Sequence, residues 1–395
     1  MTKSNVDIPS HIVMVQTKKR ILLVVRWPNG GIRTFIRYVY RHFEPEMFHL
    51  TVLGPDLPEM NVLQDDLNCL DVETKRVSAR PTVYEFFMAI SKELIYGRYD
   101  LIHSQGFTSG ICASFPAFLT RKPHILTSHD VLNGTQFRGI SGYLKKIGMG
   151  MAFSLIPTIH SVSYDAQQNL LEFFPFLDRA AERCKVIRNG IEVERFLDVE
   201  PRDLRSELCV GDEFFLIGFL GRFMAQKGFG YLIDAIESLS RNNDLTKKPL
   251  VIAFGEDGFV REERARIAER GLIQYFRFLP FTPNVAGVIK AMDMVAMPSL
   301  WEACPLLPME ALVAGTPLIA TNCIGLREVV LNTPALVISP KDGNALAVGI
   351  ESFMKDDRTE IFKQYSLEAR KEFDVKTQAK QIRDIIINLT VKSSR

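Results

Sequence analysis

The residues best placed to do chemistry are two carboxylates, Glu302 and Glu310, and two cations, Arg222 and Lys227. Glu302 stands in Ser299-Leu300-Trp301-Glu302-Ala303-Cys304-Pro305, which follows an apolar strand-like run at 294–298 and precedes a stretch of helical composition at 306–314. Pro305 suits the first helical position and Gly315 the stop. Glu302 is therefore expected on a loop ahead of a helix N-terminus, and Glu310 inside that helix. A strand, a loop with free backbone amides and a helix N-terminus attract anions at the carboxyl edge of a parallel sheet. Carboxylates beside such a site are out of place unless they bind hydroxyls, which sugars and riboses supply. The plainer alternative is a surface Glu and a first-turn Glu favoured by the macrodipole.

Arg222 and Lys227 lie in Gly221–Gly228, between a buried-type strand at 214–220 and an amphipathic helix at 229–240. Cations on a loop often do no more than keep a protein soluble. Here they share the sheet edge with Glu302, and two cations beside a helix N-terminus suit a diphosphate. At ~4 Å and an effective dielectric near ~20, each contact carries a Coulomb energy of roughly 4 kcal/mol. That attraction grows as charge collects on a departing diphosphate. No Asp-x-Asp occurs, so a divalent cation has no such motif to hold it.

The elements that must position these residues alternate along the chain. The strand at 21–25, the turn Arg26-Trp27-Pro28-Asn29-Gly30-Gly31 and the helix at 32–42 open a nucleotide-type α/β unit. Strands at 48–53, 101–103, 125–129, 158–162 and 185–187 alternate with helices at 84–96, 111–119 (interrupted by Pro116), 143–155 and 165–174. Residues 192–213 read as a connection. The strand–glycine–helix plan then restarts at Phe214. Further strands are expected at 250–254, 276–281, 317–321 and 335–338, with helices at 260–268, 285–292, 327–331 and through the tail from 343. Such alternation implies parallel sheets with helices on both faces. We expect an α/β protein with an N-terminal domain at 1–195, a C-terminal domain at 210–375 and a last helix near 376–395 packing back on the first. His103 and His129 fall at strand ends, where open sheets place ligands, although a lone His is more often a polar residue with a structural partner.

At 395 residues the chain is long for one core, and its 47% apolar and 24% charged content is that of an ordinary globular protein. A net charge of +2 argues against a nucleic-acid binder working by bulk charge. The six cysteines (Cys69, Cys112, Cys184, Cys209, Cys304, Cys323) form no C-x-x-C pair, which favours reduced thiols in a cytoplasm. A weak apolar patch at 12–15 makes no convincing signal peptide. The mostly apolar run at 148–159 is too short to span a bilayer. Preceded by Arg138, Lys145 and Lys146, the overlapping apolar stretch at 147–156 reads either as an interfacial helix face, giving peripheral contact with a cytoplasmic membrane face, or as a buried helix.

Four segments resemble the family 4 retaining glycosyltransferases. Gly218-Phe219-Leu220-Gly221-Arg222 with Lys227-Gly228 is similar to the family's G-R-x(4)-K-G loop. Asn189-Gly190-Ile191 with Arg195-Phe196 is similar to its N-G-[VI]-D segment. Pro298-Ser299, Glu302-x(7)-Glu310 and Gly315-Thr316-Pro317 form the most specific match, and Gly30-Gly31 the weakest. The resemblance implies the GT-B fold, two Rossmann-like doubly wound domains facing across a cleft. It implies that Arg222 and Lys227 bind a donor diphosphate and that Glu310 holds the ribose hydroxyls. Glu302 and His129 would face the transferred sugar, and Gly30 and Gly31 would border the diphosphate. Backbone near Phe281 would hold the base, and the N–H groups of Ala303, Cys304, Leu306 and Leu307 would be the remaining donors. No cofactor or metal is implied. The family often reads E-G-F-G-L where this chain has Glu302-Ala303-Cys304-Pro305-Leu306, and Pro305 has no N–H. The family's Gly-Gly-x-x-Glu becomes Ile324-Gly325-Leu326-Arg327-Glu328, and Glu192 replaces the Asp after Asn-Gly-Ile.

The expected function is transfer, with retention, from a nucleotide-diphosphate sugar to a saccharide or lipid-linked saccharide, in cell-surface polysaccharide or glycolipid synthesis. A nucleotide-sugar epimerase or hydrolase, a sugar phosphorylase and a non-catalytic nucleotide-sugar binder remain the alternatives.

Overall fold

The structure is a computed structural model that describes residues 18–255 and 258–393. The apolar patch at 12–15 and residues 256 and 257 of the turn after the strand at 250–254 lie outside it. The first sheet contains β1 (Lys19–Val25), β2 (Phe48–Pro55), β3 (Asp71–Val77), β4 (Leu101–Gln105), β5 (His124–Ser128), β6 (Thr158–Ser161) and β7 (Cys184–Val186), in the order β3-β2-β1-β4-β5-β6-β7. The second contains β8 (Phe214–Leu220), β9 (Lys248–Phe254), β10 (Phe276–Leu279), β11 (Met294–Met297), β12 (Leu318–Thr321) and β13 (Leu336–Ile338), in the order β10-β9-β8-β11-β12-β13. Every pairing is parallel. Ile21 to Val25 are wholly buried, as a central parallel strand covered on both faces requires.

Each sheet reverses its strand order once, between β1 and β4 and between β8 and β11. Open α/β sheets bind ligands outside the strand ends at that reversal. The chain leaves β1 at Gly30-Gly31, β8 at Arg222 and β11 at Ser299–Glu302, so topology alone brings the candidate residues to the two reversal points.

The connection between lobes is partly structured. A 3-10 turn Val193–Phe196 and a short helix Leu204–Leu208 bury Phe196 and Leu204. The helix Val375–Ser393 packs on the helix Gly30–Tyr40 of the first lobe, and Ile191 exchanges backbone hydrogen bonds with Phe373 (2.7 Å) and Val375 (3.0 Å). Several expected boundaries are corrected. The helix Phe107–Leu119 starts a turn early and runs through Pro116. β10 stops at Leu279, because Pro280 has no N–H to continue the ladder. The helix after Glu302 is Leu307–Ala314, with Pro308 rather than Pro305 in its first turn. The helix Pro58–Asp66 and β3 were not expected. β3 is a charged edge strand paired only with β2, and so carries no apolar run to betray it.

Candidate active site

The loop after β8 is zipped to the loop after β11. Gly228 has φ +67°, and a Cβ there would lie 1.9 Å from the Pro298 carbonyl oxygen. The Leu300 N–H donates to the Gln226 carbonyl at 2.8 Å, and the Gln226 side chain donates to the Trp301 carbonyl at 2.8 Å. This contact brings Lys227 Nζ to 2.7 Å from Glu302 Oε1. Ser299 Oγ donates to the same oxygen at 2.8 Å, while Gln226 Nε2 stands 3.4 Å from Oε2. Glu302 is only 6% exposed. A carboxylate so covered needs ionic and hydrogen-bonding partners, and it has them.

Arg222 reaches the other lobe. A Cβ on Gly30 would sit 3.9 Å from the Arg222 guanidinium carbon, whereas one on Gly31 would meet open space. Asp130, next to His129, senses both Arg222 and Glu302. Its carboxyl is shifted up by loss of hydration, against the pull of the guanidinium. Asp130 is thus a cleft residue beside His129. Among the described residues, the N–H groups of Ala303, Cys304 and Leu306 have no protein acceptor. The Cys304 thiol is pushed up to about 12 by burial and is no nucleophile.

Glu310 keeps different company. Burial pushes its carboxyl up to about 7, with Arg195 and Arg37 opposing the shift. Tyr38 feels Glu310, Arg195 and Arg37 together, and Arg195 donates to the Tyr38 hydroxyl at 3.2 Å. A cavity of about 540 Å³ opens beside this group at the hinge, lined by Arg37, Arg41, Glu192 and Arg195 among others. Lys227 and Glu302 therefore form one cluster, with Arg222 facing Gly30. Glu310 belongs to a second cluster, one helix turn on.

His129 lies in the first lobe, its Nε2 2.8 Å from Gln105 Oε1 and its ring edge-on to Phe35. Burial holds its pKa down to about 3, so the ring is neutral at physiological pH and acts through hydrogen bonds rather than charge. His103 is wholly buried. A directed chain fixes its tautomer: Tyr40 Oη donates to His103 Nδ1 (2.6 Å), His103 Nε2 to Thr127 Oγ1 (2.7 Å), Thr127 to His160 Nδ1 (3.0 Å) and His160 Nε2 to the Ile187 carbonyl (2.9 Å). That is a structural strut with no group left for substrate. Phe281 lies in the loop beyond β10 and is 73% exposed. All six cysteines are free.

Two Rossmann-like sheets, with their reversal points turned to one cleft that joins Arg222, Lys227 and Glu302 to Gly30, define a GT-B protein. The chain matches Glycosyltransferase Family 4 over residues 29–195 and Glycosyl transferases group 1 over residues 202–372. It belongs to the family 4 glycosyltransferases. An uncharacterised glycosyltransferase of Methanocaldococcus jannaschii is 26% identical over 77% of this chain and 79% of that protein. A D-inositol 3-phosphate glycosyltransferase of Jonesia denitrificans is 28% identical over 62% of this chain and 60% of that protein. The Anabaena protein HepE, crystallised with UDP and glucose, superposes with a TM-score of 0.78 at 21% identity, over 94% of this chain and all of that one, and so shares the fold.

Proposed function

We propose that this glycosyltransferase moves a sugar, with retention, from a nucleotide-diphosphate donor to a saccharide or lipid-linked saccharide. The observation that carries this reading is the Lys227–Glu302 pair at 2.7 Å, with Arg222 reaching across to Gly30. In this scheme Arg222 and Lys227 take the diphosphate and stabilise it as the glycosidic bond breaks. The free N–H groups of Ala303, Cys304 and Leu306 support the sugar and phosphate oxygens. Glu302 orients the sugar hydroxyls and His129 adds a neutral hydrogen-bonding group. Gly30 and Gly31 admit the donor where a side chain would crowd it, Leu307 offers a further N–H, and backbone near Phe281 takes the base. The acceptor then attacks from the face the diphosphate leaves. Preorganised charge of this kind supplies part of the ~8–23 kcal/mol an enzyme typically provides. We propose that no metal takes part. Among the described residues no three His, Cys, Asp or Glu side chains cluster as ligands.

A thermal-shift screen of nucleotide sugars, followed by NMR of the product, tests this reading. An α-linked donor should give an α-linked product at a rate EDTA does not change. An inverted anomer would sink the retaining assignment. An epimer formed from donor alone, or cleavage that needs orthophosphate, would instead select one of the other enzyme classes.

We further propose a peripheral position on the cytoplasmic face of a membrane. Among the described residues no helix is long and apolar enough to cross one. The helix Gly139–Ser154 buries Met149, Ala152 and Phe153 but leaves Ile140 (83% exposed), Tyr143, Leu144, Ile147 and Met151 in solvent. Lys145 and Lys146 stand on that helix, and the adjacent helix Phe107–Leu119 adds exposed Phe115, Phe118 and Leu119. An apolar stripe with lysines beside it fits an anionic lipid surface. Co-sedimentation with anionic vesicles should weaken in high salt and be lost in an Ile140→Asp, Leu144→Asp variant. Recovery indifferent to both changes would refute the contact.

A further inference from the structure

The two lobes exchange carboxylates beside the loop that carries Glu302. Asp165, at the start of the helix Tyr164–Phe173, accepts the Gly325 N–H at 2.7 Å and Arg327 Nε at 2.8 Å. In return Glu328 of the second lobe accepts the N–H of Tyr164 at 3.1 Å and that of Asp165, at the helix N-terminus where negative charge is favoured. Gly325 is pressed against the same loop: with φ +74°, a Cβ there would fall 2.2 Å from the Glu302 carbonyl oxygen.

Two more bonds cross between the lobes. Ser163 Oγ accepts the Ala166 N–H at 3.0 Å and gives its own hydrogen to the Ala303 carbonyl at 2.5 Å. Asn189 Nδ2 donates to the Cys304 carbonyl at 2.8 Å, while its Oδ1 accepts from Gln378 at 3.2 Å on the C-terminal helix. A trans peptide is planar, so a fixed C=O fixes the N–H of the next residue in the opposite direction. Holding the Ala303 carbonyl toward the first lobe therefore aims the Cys304 N–H away from it. Among the described residues, Ser163 and Asn189 are the only acceptor-fixing partners of these two carbonyls.

We infer that the first lobe sets the orientation of the loop Glu302–Pro305. Ser163 and Asn189 are positioning residues, and the Asp165–Arg327 and Glu328–helix exchange is the clasp that holds them in reach. When the lobes part, the clasp and both positioning bonds break together, and the loop loses its alignment. Arg327 is 57% exposed but Asp165 only 10%, and two guanidinium nitrogens reach its carboxylate, so the clasp is a half-buried bidentate pair that must break for the lobes to part. The clasp needs no transferase activity to exist, but its kinetic consequence rests on the function proposed above.

The test uses Asn189→Asp, which keeps the shape but replaces the donor with a carboxylate facing a carbonyl, together with Ser163→Ala, Ser163→Thr and Arg327→Ala. Asn189→Asp and Ser163→Ala should lower kcat roughly ten- to hundredfold, the scale on which misoriented groups fail. The dissociation constant for UDP, or for whichever nucleoside diphosphate the wild type releases, should rise far less than kcat falls, because Arg222 and Lys227 still hold the phosphates. Ser163→Thr should recover most of the rate. Arg327→Ala should enlarge the ligand-free radius of gyration in small-angle scattering. Amide exchange over residues 303–310, read without substrate, should quicken in Asn189→Asp. Unchanged exchange there, or nucleotide affinity falling in step with kcat, would overturn the inference. A wild type that transfers no sugar would instead refute the proposed function, and the exchange and scattering measurements would still decide the clasp.

Discussion

Lys227→Ala should lower kcat/KM by about 10³-fold, the loss expected when one preorganised electrostatic partner of a developing anion is removed. Lys227 is a single ammonium on a short 3-10 turn, held by the φ +67° of Gly228 and the carbonyl of Pro298, and water cannot replace it without reorganising. The substitution also strands Glu302, which is nearly buried. Breaking a buried pair by deleting one partner typically costs ~3–5 kcal/mol. Ser299 and Gln226 still donate to the carboxylate, so the cost here falls at the lower end. Lost rate and lost stability must therefore be told apart. The double variant Lys227→Met, Glu302→Gln removes both charges together and should melt close to the wild type. It should nevertheless remain as inactive as the single variant. A folded Lys227→Ala protein with wild-type turnover would remove Lys227 from the chemistry.

The expectation and the structure agree where burial writes a pattern into the chain. β1, β8 and β11 are apolar on both faces because helices cover both, and their ends are marked by glycine or proline. The residues that follow them, Gly30, Arg222 and Glu302, were legible because a sheet edge and a charge type together imply a ligand. The edge strand β3 was invisible for the converse reason, since half its surface faces water. Also invisible was whatever acts across the lobes. Ser163, Asp165 and Asn189 look in sequence like a helix cap, a first-turn acid and a turn residue, and only the folded chain shows them holding Ala303, Gly325 and Cys304. The separation of Glu310 from Glu302 has the same origin. Spacing puts both near one helix start, but the partners of Glu310 come from the hinge and from the helix Gly30–Tyr40 of the other lobe.

Those partners give Glu310 a pH dependence of its own. Its carboxyl sits at about 7 in the fold against an ordinary 4.5, chiefly through burial. Because the folded value is the higher one, the stability linked to this group is fully present below pH ~4.5 and lost as pH rises through ~7. The shift corresponds to at most about 3 kcal/mol at pH 8. Glu310→Gln has no charge to bury, so it should match the wild type near pH 4.5 and become the more stable protein by pH 8. Donor binding should move the other way. We propose that Glu310 accepts the ribose hydroxyls; an ionised carboxylate is the stronger acceptor, so wild-type affinity for the nucleotide should rise as pH passes through 7, with a proton released on binding. Hydrogen bonds to a charged partner are worth about 1.5–3 kcal/mol, so Glu310→Gln should weaken nucleotide binding by roughly ten- to hundredfold. It should also flatten the pH profile. Calorimetry in buffers of different ionisation enthalpy reads both the affinity and the proton count. A Gln variant that is stabilised at pH 8 but binds nucleotide as tightly as the wild type would show that Glu310 is a half-buried acid of the hinge and that the ribose lies elsewhere.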